Sequence, residues 1–428
     1  MPPIEEHPLR FQLTNELHAR PFPSLDVPCR AAFLAVKRPR DAASRDREAD
    51  RGHLVALLDR YGAPHPQPGA THYSGIIGRH LLKWESHTEF VSYTIFEEGN
   101  AEAPFHARTF SLFPDEWLSA APGVRMTSAL IRVEPMPADE TVIGRKLGEW
   151  FVPESLAVSR VVDDAAIMAS DFRIDATGHV RMAVFVRDGI GPRRTGRIVQ
   201  RLCEIETYKT MSMLGLARAR GLADRMAQMD RRLTGLMSEM TGEVTRPDET
   251  LKELLDVSAE LEKVIAEASF RFGATAAYEA LVNQRIEVMR EERVDGRQTF
   301  TEFMMRRFDP AMRTVKSTER RLHAMAERAS RAGNLLRTRV DVERSAQNRD
   351  LLESMNRRAD LQLRLQKTVE GLSVVAISYY ALNLVRYLAY PFAPNGWGEG
   401  VLTAALVPPV VLVVWLTIRS IRRKVEPE

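Results

Sequence analysis

The sequence predicts an α+β cytoplasmic domain, then an all-α helical bundle with a long stalk helix, and a C-terminal two-helix transmembrane hairpin. Short strand-like runs fill residues 1–190, and helical patterns fill residues 191–368. Two long apolar segments occupy residues 369–428. Because a helix needs about 20 apolar residues to cross a membrane, these segments are the most specific feature of the chain.

The first region reads as a short helix over Phe11–Ala19, followed by strands with one further helix. A buried strand is predicted over Arg30–Lys37, and a helix over Asp41–Tyr61. Further strand-like runs follow: Tyr73–Trp84, Thr88–Glu97, Val124–Val133, Ala157–Val162, Ala166–Arg173 and His179–Val186. The short turns between the first two and the last two predict antiparallel hairpins. The sheet is therefore expected to be mainly antiparallel or mixed.

The second region begins after Gly191-Pro192. One helix is predicted over Thr195–Met240, with an interruption near Gly215 and Gly221. A second is predicted over Thr250–Val294, with Asp248 as its N-cap. The short breaks predict antiparallel neighbours in a bundle.

The long stalk helix is predicted from Pro310 to Tyr390. Apolar residues step by three and four along it, at Leu322, Met325, Ala329, Ala332 and Leu336. This is the spacing of a coiled-coil seam and predicts a homo-oligomer that forms through the stalk. The same spacing also fits a helix packed inside the chain's own bundle.

The apolar segments Val369–Tyr390 and Val401–Ile418 predict a membrane hairpin, with a kink at Pro408-Pro409 in the second. Basic residues flank the pair on both outer sides, and the connecting loop has none. The positive-inside rule then predicts a multi-pass protein of the cytoplasmic membrane with both termini in the cytoplasm. The alternative is a buried apolar hairpin in a soluble protein.

One stripe of the first segment is polar. Its members recur at helical spacing, so they share one face: Glu370, Ser373, Tyr380, Asn383 and Tyr387. They are candidates either for a pore lining or for hydrogen bonds to another helix.

Charge, cysteine content and the N-terminal pattern limit the class of protein that the sequence predicts. A net charge of +3 gives no overall polyelectrolyte signal. A local basic excess over Arg193–Arg232 is read as a solvated helix surface, with binding of nucleic acid or anionic lipid as the alternative. No nucleic-acid partner is expected. Cys29 and Cys203 are read as reduced, packed thiols, and the N-terminus lacks the pattern of a secretory signal.

The densest short motif is Asn15-Glu16-Leu17-His18-Ala19-Arg20-Pro21-Phe22. Asn15, Glu16, His18 and Arg20 are the candidate binding residues of the cytoplasmic domain, with capping and packing as the alternative role.

Eight histidines lie in the first third, but no HExxH or CxxC spacing supports a metal. Nucleophile-elbow, P-loop and dinucleotide motifs are also absent from the sequence, so no catalytic residue and no cofactor is predicted.

A resemblance adds to this reading. The opening His7-Pro8-Leu9-Arg10 and the motif Asn15 to Phe22 resemble a bacterial family of uncharacterised membrane-anchored proteins. Further matching segments are Ser170-Asp171-Phe172-Arg173, Glu204-Ile205-Glu206-Thr207-Tyr208 and Thr368-Val369-Glu370-Gly371-Leu372-Ser373. The resemblance implies membrane attachment and supplies no catalytic residues.

Two functions from different classes fit these expectations. The first is a non-enzymatic scaffold or sensor, tethered to the lipid bilayer, whose cytoplasmic domain binds a protein partner. The second is an oligomeric ion channel or transporter, because the layout is similar to that of CorA-type magnesium channels. The Gly-Met-Asn of that family is missing at the end of the first span, where Tyr390-Pro391-Phe392 stands. An enzyme is the third possibility.

Overall fold

The structure is a computed structural model, and it describes residues 4–11, 13–14, 21–241, 247–389 and 399–425. The chain divides into two compact units. The head unit comprises Met1–Glu243 and Lys252–Ala332, and the C-terminal unit comprises Val244–Leu251 and Gly333–Glu428.

The described residues form one nine-stranded sheet in the head unit, in the order β2-β3-β4-β1-β5-β8-β7-β6-β9. The strands are β1 Cys29–Lys37, β2 His72–Ile77, β3 His80–Ser86, β4 Phe90–Glu98, β5 Val124–Pro135, β6 Ala157–Val161, β7 Ala166–Ile174, β8 Val180–Val186 and β9 Glu292–Arg293. Strands β5 and β8 pair in parallel, and the other pairs are antiparallel. The sheet is therefore mixed, and the predicted α+β class is confirmed.

The helices divide by length between the two halves of the chain. They are α1 Arg47–Tyr61, α2 Asp115–Ser119, α3 Thr141–Trp150, α4 Pro192–Thr241, α5 Pro247–Glu287, α6 Phe300–Arg307, α7 Asp309–Ala389 and α8 Glu399–Val425. The short helices α2 and α3 were not predicted. The long helices and the apolar C-terminal helix agree with the predicted layout.

Both faces of the sheet are covered, which explains why the central strands are buried along their whole length. In β1, Ala31 and Phe33 join a core with α4 and α5. Ala32 and Leu34 point to the opposite face, into a core with α1 and α2. Helix α3 covers β6, β7 and β8 in a third core.

Two N-terminal boundaries differ from the prediction. The run Tyr73–Trp84 is not one strand, because Gly78 turns the chain with φ +60 between β2 and β3. Ile77 pairs with His80 in that hairpin, so His72 and His80 lie on opposite faces of the sheet. Helix α1 begins at Arg47 instead of Asp41, because the Asp46 side chain accepts the backbone N–H groups of Glu48 and Ala49.

The predicted interruption of the first long helix is wrong, since α4 runs unbroken past Gly215. A Cβ atom at Gly215 would lie 2.3 Å from Thr275 Oγ1, so this glycine permits close packing against α5. Helix α5 ends at Glu287 instead of Val294, because Arg290 adopts φ +48 and β9 pairs with β6. It begins at Pro247, so Asp248 lies inside the helix and is not its N-cap.

The predicted stalk seam is occupied inside the chain over much of its length. Leu322, Met325, Ala329 and Ala332 belong to the core that α4 and α5 share. This part of α7 is therefore a bundle helix within one chain. Beyond it, large apolar side chains such as Leu351 and Met355 are exposed.

Candidate functional site

The apolar end of α7 and the whole of α8 carry the most unusual surface of the molecule. Both helices are long and apolar enough to cross a membrane. In their most apolar windows, 6% and 11% of the residues are buried. A helix from the core of a soluble protein would instead bury its apolar side chains. Helix α8 continues through Pro408 and Pro409.

The predicted polar stripe lies on the apolar end of α7. Glu370, Ser373 and Asn383 are half-buried, whereas Tyr380 and Tyr387 are exposed. The Ser373 hydroxyl donates to the Val369 carbonyl at 2.8 Å, inside the helix itself. One helix face thus carries all five residues, and whether they line a pore or bind another helix stays a prediction.

Sequence reasoning missed Ser378, the most enclosed polar side chain of the described part of this segment. Its hydroxyl is buried and has no hydrogen-bond partner among the described residues. Small residues at helix contacts in membranes are a recognised signal, and Ala381, three positions after Ser378, lies on the same side of the helix. That signal favours this side of α7 for helix packing.

Cation–aromatic pairs stand near the ends of the two apolar segments. The Arg386 guanidinium lies 5.7 Å from the Tyr387 ring centroid, and Arg419 lies 4.9 Å from that of Trp415. Such pairs combine an apolar body with a charged tip, as side chains at a membrane interface do.

The candidate binding residues Asn15, Glu16, His18 and Arg20 lie outside the described residues. Their role therefore stays a prediction. The nearby His7 and Arg10, which belong to the opening of the same region, are exposed.

Among the described residues of the head unit, the histidines form no metal-binding cluster, and His53 is packed in the interior. His53 is buried, with Nδ1 2.9 Å from Tyr93 Oη and Nε2 2.9 Å from the Trp117 carbonyl oxygen. A carbonyl only accepts, so Nε2 carries the proton and Nδ1 accepts from the tyrosine. Burial lowers the pKa of His53. Across the described residues, no group of three His, Cys, Asp or Glu side chains could hold a metal ion.

A buried charged network links the sheet to α4 and α5, and sequence reasoning missed it. Lys83 Nζ lies 3.1 Å from Glu85 and also donates to Gln200. Gln200 donates to Glu204 at 2.9 Å, and Arg285 pairs with Glu204. Each charge therefore has a partner of opposite sign or a hydrogen bond, which is the condition for burying it.

A second buried pair joins Glu89 to Arg271 of α5. Lys37 lies 3.8 Å from the same carboxylate. These contacts hold helices against strands.

The cavity beside the Lys83 network has a volume of about 20 Å³, which is the space of one water molecule. The arrangement therefore has a structural role and offers no room for a substrate.

Both cysteines are free and buried, as the sequence indicated. Burial, together with the Asp26 charge, raises the pKa of Cys29 to about 12. Burial also raises the pKa of Cys203. Since the thiolate is the reactive form, neither thiol is activated as a nucleophile.

A protein-family model matches residues 5–425, which is nearly the whole chain. The family is described as "Protein of unknown function (DUF3422)". No curated protein matches the chain.

Proposed function

We propose, for this chain that belongs to the DUF3422 family, the function of a membrane-anchored scaffold or sensor without enzymatic activity. Its two apolar helices would insert in the lipid bilayer as a hairpin, and its head unit would bind a partner in the cytoplasm. The observation that carries this proposal is the exposure of apolar side chains on α7 and α8.

Burial of the exposed apolar side chains of α7 and α8 in lipid would be energetically favourable. Exposed side chains of the two segments include Val375, Leu384, Leu388, Leu412 and Val413. Transfer of such a side chain from water to an apolar phase stabilises by about 1.5–3 kcal/mol. Contiguous apolar surface of this extent favours a membrane or an interface over water.

Charge distribution supports the proposed orientation. Arg364 and Lys367 precede the first segment, while Arg419 and further basic residues follow the second. Lys and Arg concentrate in cytoplasmic flanks, so the hairpin would place both termini in the cytoplasm of a bacterial inner-membrane protein. The head unit would then face cytoplasmic proteins, with Asn15, Glu16, His18 and Arg20 as its candidate contact residues.

A channel is the second candidate, and the polar stripe favours it. Tyr380 and Tyr387 are exposed at the depth where lipid would be expected, and polar groups at that depth face protein or water. Homo-oligomerisation through the exposed part of α7, around Leu351 and Met355, would bring several stripes together. Light scattering on the detergent-purified chain distinguishes the two candidates, because a monomer could not surround a pore with one stalk helix.

Membrane insertion is tested by placing charge in the two segments. Val375→Arg combined with Leu412→Arg should move the full chain out of the carbonate-resistant membrane fraction. An arginine near the centre of a span costs about 2.5–3.5 kcal/mol on insertion. The measurement is the share of protein that resists alkaline carbonate extraction.

The matched control places the same charges on apolar residues of α7 outside the span. Leu335 and Val342 are likewise exposed, so Leu335→Arg with Val342→Arg should leave membrane retention unchanged. Extraction of the unmodified chain by carbonate would refute the proposal. Equal release of both variants would attribute the effect to charge alone.

A further inference from the structure

A pocket of about 280 Å³ in the head unit is lined by four arginines. Three of them, Arg194, Arg197 and Arg201, stand near the start of α4, and Arg290 follows the end of α5. The turn after β6 contributes the remaining side of the pocket through Val162. The pocket lies far along the chain from the apolar segments, and nothing in its geometry depends on membrane insertion.

The backbone directs these four side chains to one place. Residues 194, 197 and 201 are spaced by three and four, so they share one face of α4. Arg290 joins them because its left-handed backbone, with φ +48, turns the chain after α5. The sequence shows the helical spacing, but only the fold adds Arg290.

Hydrogen bonds to carbonyl groups hold two of the guanidinium groups. Arg194 Nη2 donates to the Val162 carbonyl at 2.8 Å, and Arg201 Nη1 donates to the Val288 carbonyl at 3.3 Å. A guanidinium has five N–H donors, so each of these groups retains donors for a ligand. Arg197 is exposed and has neither a hydrogen bond nor an ion pair with any described residue.

Positive charge in the pocket is balanced only in part. Among the described residues, Asp163 is the carboxylate that pairs with these arginines, at 3.8 Å from Arg194 and in contact with Arg290. Asp163 is itself exposed, and such pairs stabilise little. Glu204 also attracts Arg201, but it already pairs with Arg285.

The crowding of like charges is visible at Arg201. Burial, and then the neighbouring Arg197 charge, lower the pKa of Arg201 below its usual value. Guanidinium groups whose charge is only partly compensated therefore face the pocket. An anion placed among them would relieve their repulsion and accept their free N–H groups.

We propose that this arginine pocket binds a phosphate-bearing ligand. Guanidinium groups bind phosphate through paired N–H···O bonds. A phosphate dianion also neutralises more of the excess positive charge than a carboxylate does. The first turns of α4 add the positive end of a 50-residue helix. Aliphatic side chains of Val162, Ile198 and Val288 complete the wall, so the ligand is an organic phosphate rather than the bare ion.

The volume limits the class of ligand. A space of about 280 Å³ is at the lower end of small-molecule pockets, which span roughly 300–1,000 Å³. It accommodates one phosphorylated group. That group has two possible sources, a soluble phosphate ester or a lipid headgroup, and both present the same oxyanion.

The test is isothermal titration of the full chain in detergent with two probes at equal ionic strength. Glycerol 3-phosphate stands for a soluble phosphate ester, and short-chain dihexanoyl phosphatidic acid for a lipid headgroup. We expect saturable binding of at least one probe, weakened about tenfold or more by Arg197→Gln. Arg197 has no partner in the described structure, so this variant should fold normally, and its thermal unfolding checks that.

The matched control is Arg220→Gln. Arg220 is also an exposed arginine of α4, but it does not line the pocket, and this change should leave the affinity unchanged. Tighter binding of glycerol 3-phosphate would identify a soluble source, and tighter binding of phosphatidic acid would identify a lipid source; either result supports the pocket. Absence of binding by both probes, or equal weakening in the two variants, would overturn it.

Discussion

The head unit and the C-terminal unit contain similar apolar side chains in opposite environments. In the head unit, Leu34 and Val36 of β1 are almost inaccessible to water because helices cover both faces of the sheet. In the C-terminal unit, Leu384 and Leu388 are largely exposed although they belong to an equally regular helix. The apolar content of a segment therefore does not show whether its side chains are buried. The presence or absence of a covering element decides whether an apolar residue stabilises the fold or is left for an external phase.

The largest expected effect is the loss of one partner from a buried ion pair of the head unit. Glu89 is 1% exposed and pairs with Arg271, so Arg271→Ala leaves a buried carboxylate short of its main partner. We expect a loss of about 3–5 kcal/mol in the free energy of unfolding. Denaturant unfolding of the full chain in detergent, followed by tryptophan fluorescence, measures it.

A control variant and a double variant show whether the lost stability comes from the buried ion pair. Arg331→Ala removes an exposed pair with Glu327 and should leave the unfolding curve unchanged. Adding Glu89→Gln to Arg271→Ala should recover part of the stability, because it removes the carboxylate that has lost its main partner. Lys37 then loses its contact with that carboxylate, which keeps the recovery partial. If Arg271→Ala behaved like Arg331→Ala, the buried network would not stabilise the head unit.

The same leucine-to-alanine change, made once in the buried sheet and once on the exposed helix, compares the two environments directly. Leu34→Ala creates a cavity in the sheet and should lower the free energy of unfolding by about 2–5 kcal/mol. Leu384→Ala makes the same chemical change on an exposed face and should leave the unfolding of the head unit unaltered. The same denaturant series measures both. Equal destabilisation by the two variants would mean that Leu384 is packed within the protein.

The smallest expected effect is a pH dependence of the head unit. His53 is neutral and buried, and burial lowers its pKa below the value of about 6.5 that it has in the unfolded chain. The unfolded chain then binds more protons as the pH falls below that value. Stability is therefore full above about pH 6.5 and declines toward lower pH.

His53→Gln should reduce this decline, because glutamine does not titrate. Unfolding temperatures measured between about pH 7.5 and pH 5.5 test the expectation. His323→Gln replaces an exposed histidine of α7 and serves as the control, with the slope of the unmodified chain. An unchanged slope in His53→Gln would assign the pH dependence to other groups.

The failures of sequence reasoning share a physical cause. Alternation along β3 puts Lys83 and Glu85 on the face opposite Leu82 and Trp84, which a local pattern assigns to solvent. Helix α4 covers that face and buries both charges. Gly215 was misread for a similar reason, since a glycine in a helical pattern indicates a break unless a neighbouring helix requires its small size.

The sequence by itself determined what depends on local periodicity and on bulk hydrophobicity. It determined the α+β class of the first region, the long helices, and two helices apolar enough to cross a membrane. Only the tertiary structure decided which faces are covered. It placed the seam of Leu322 and Met325 inside the chain's own bundle, and it brought Arg290 to the arginines of α4. Contacts between residues distant in sequence carry no local pattern, so the fold has to supply them.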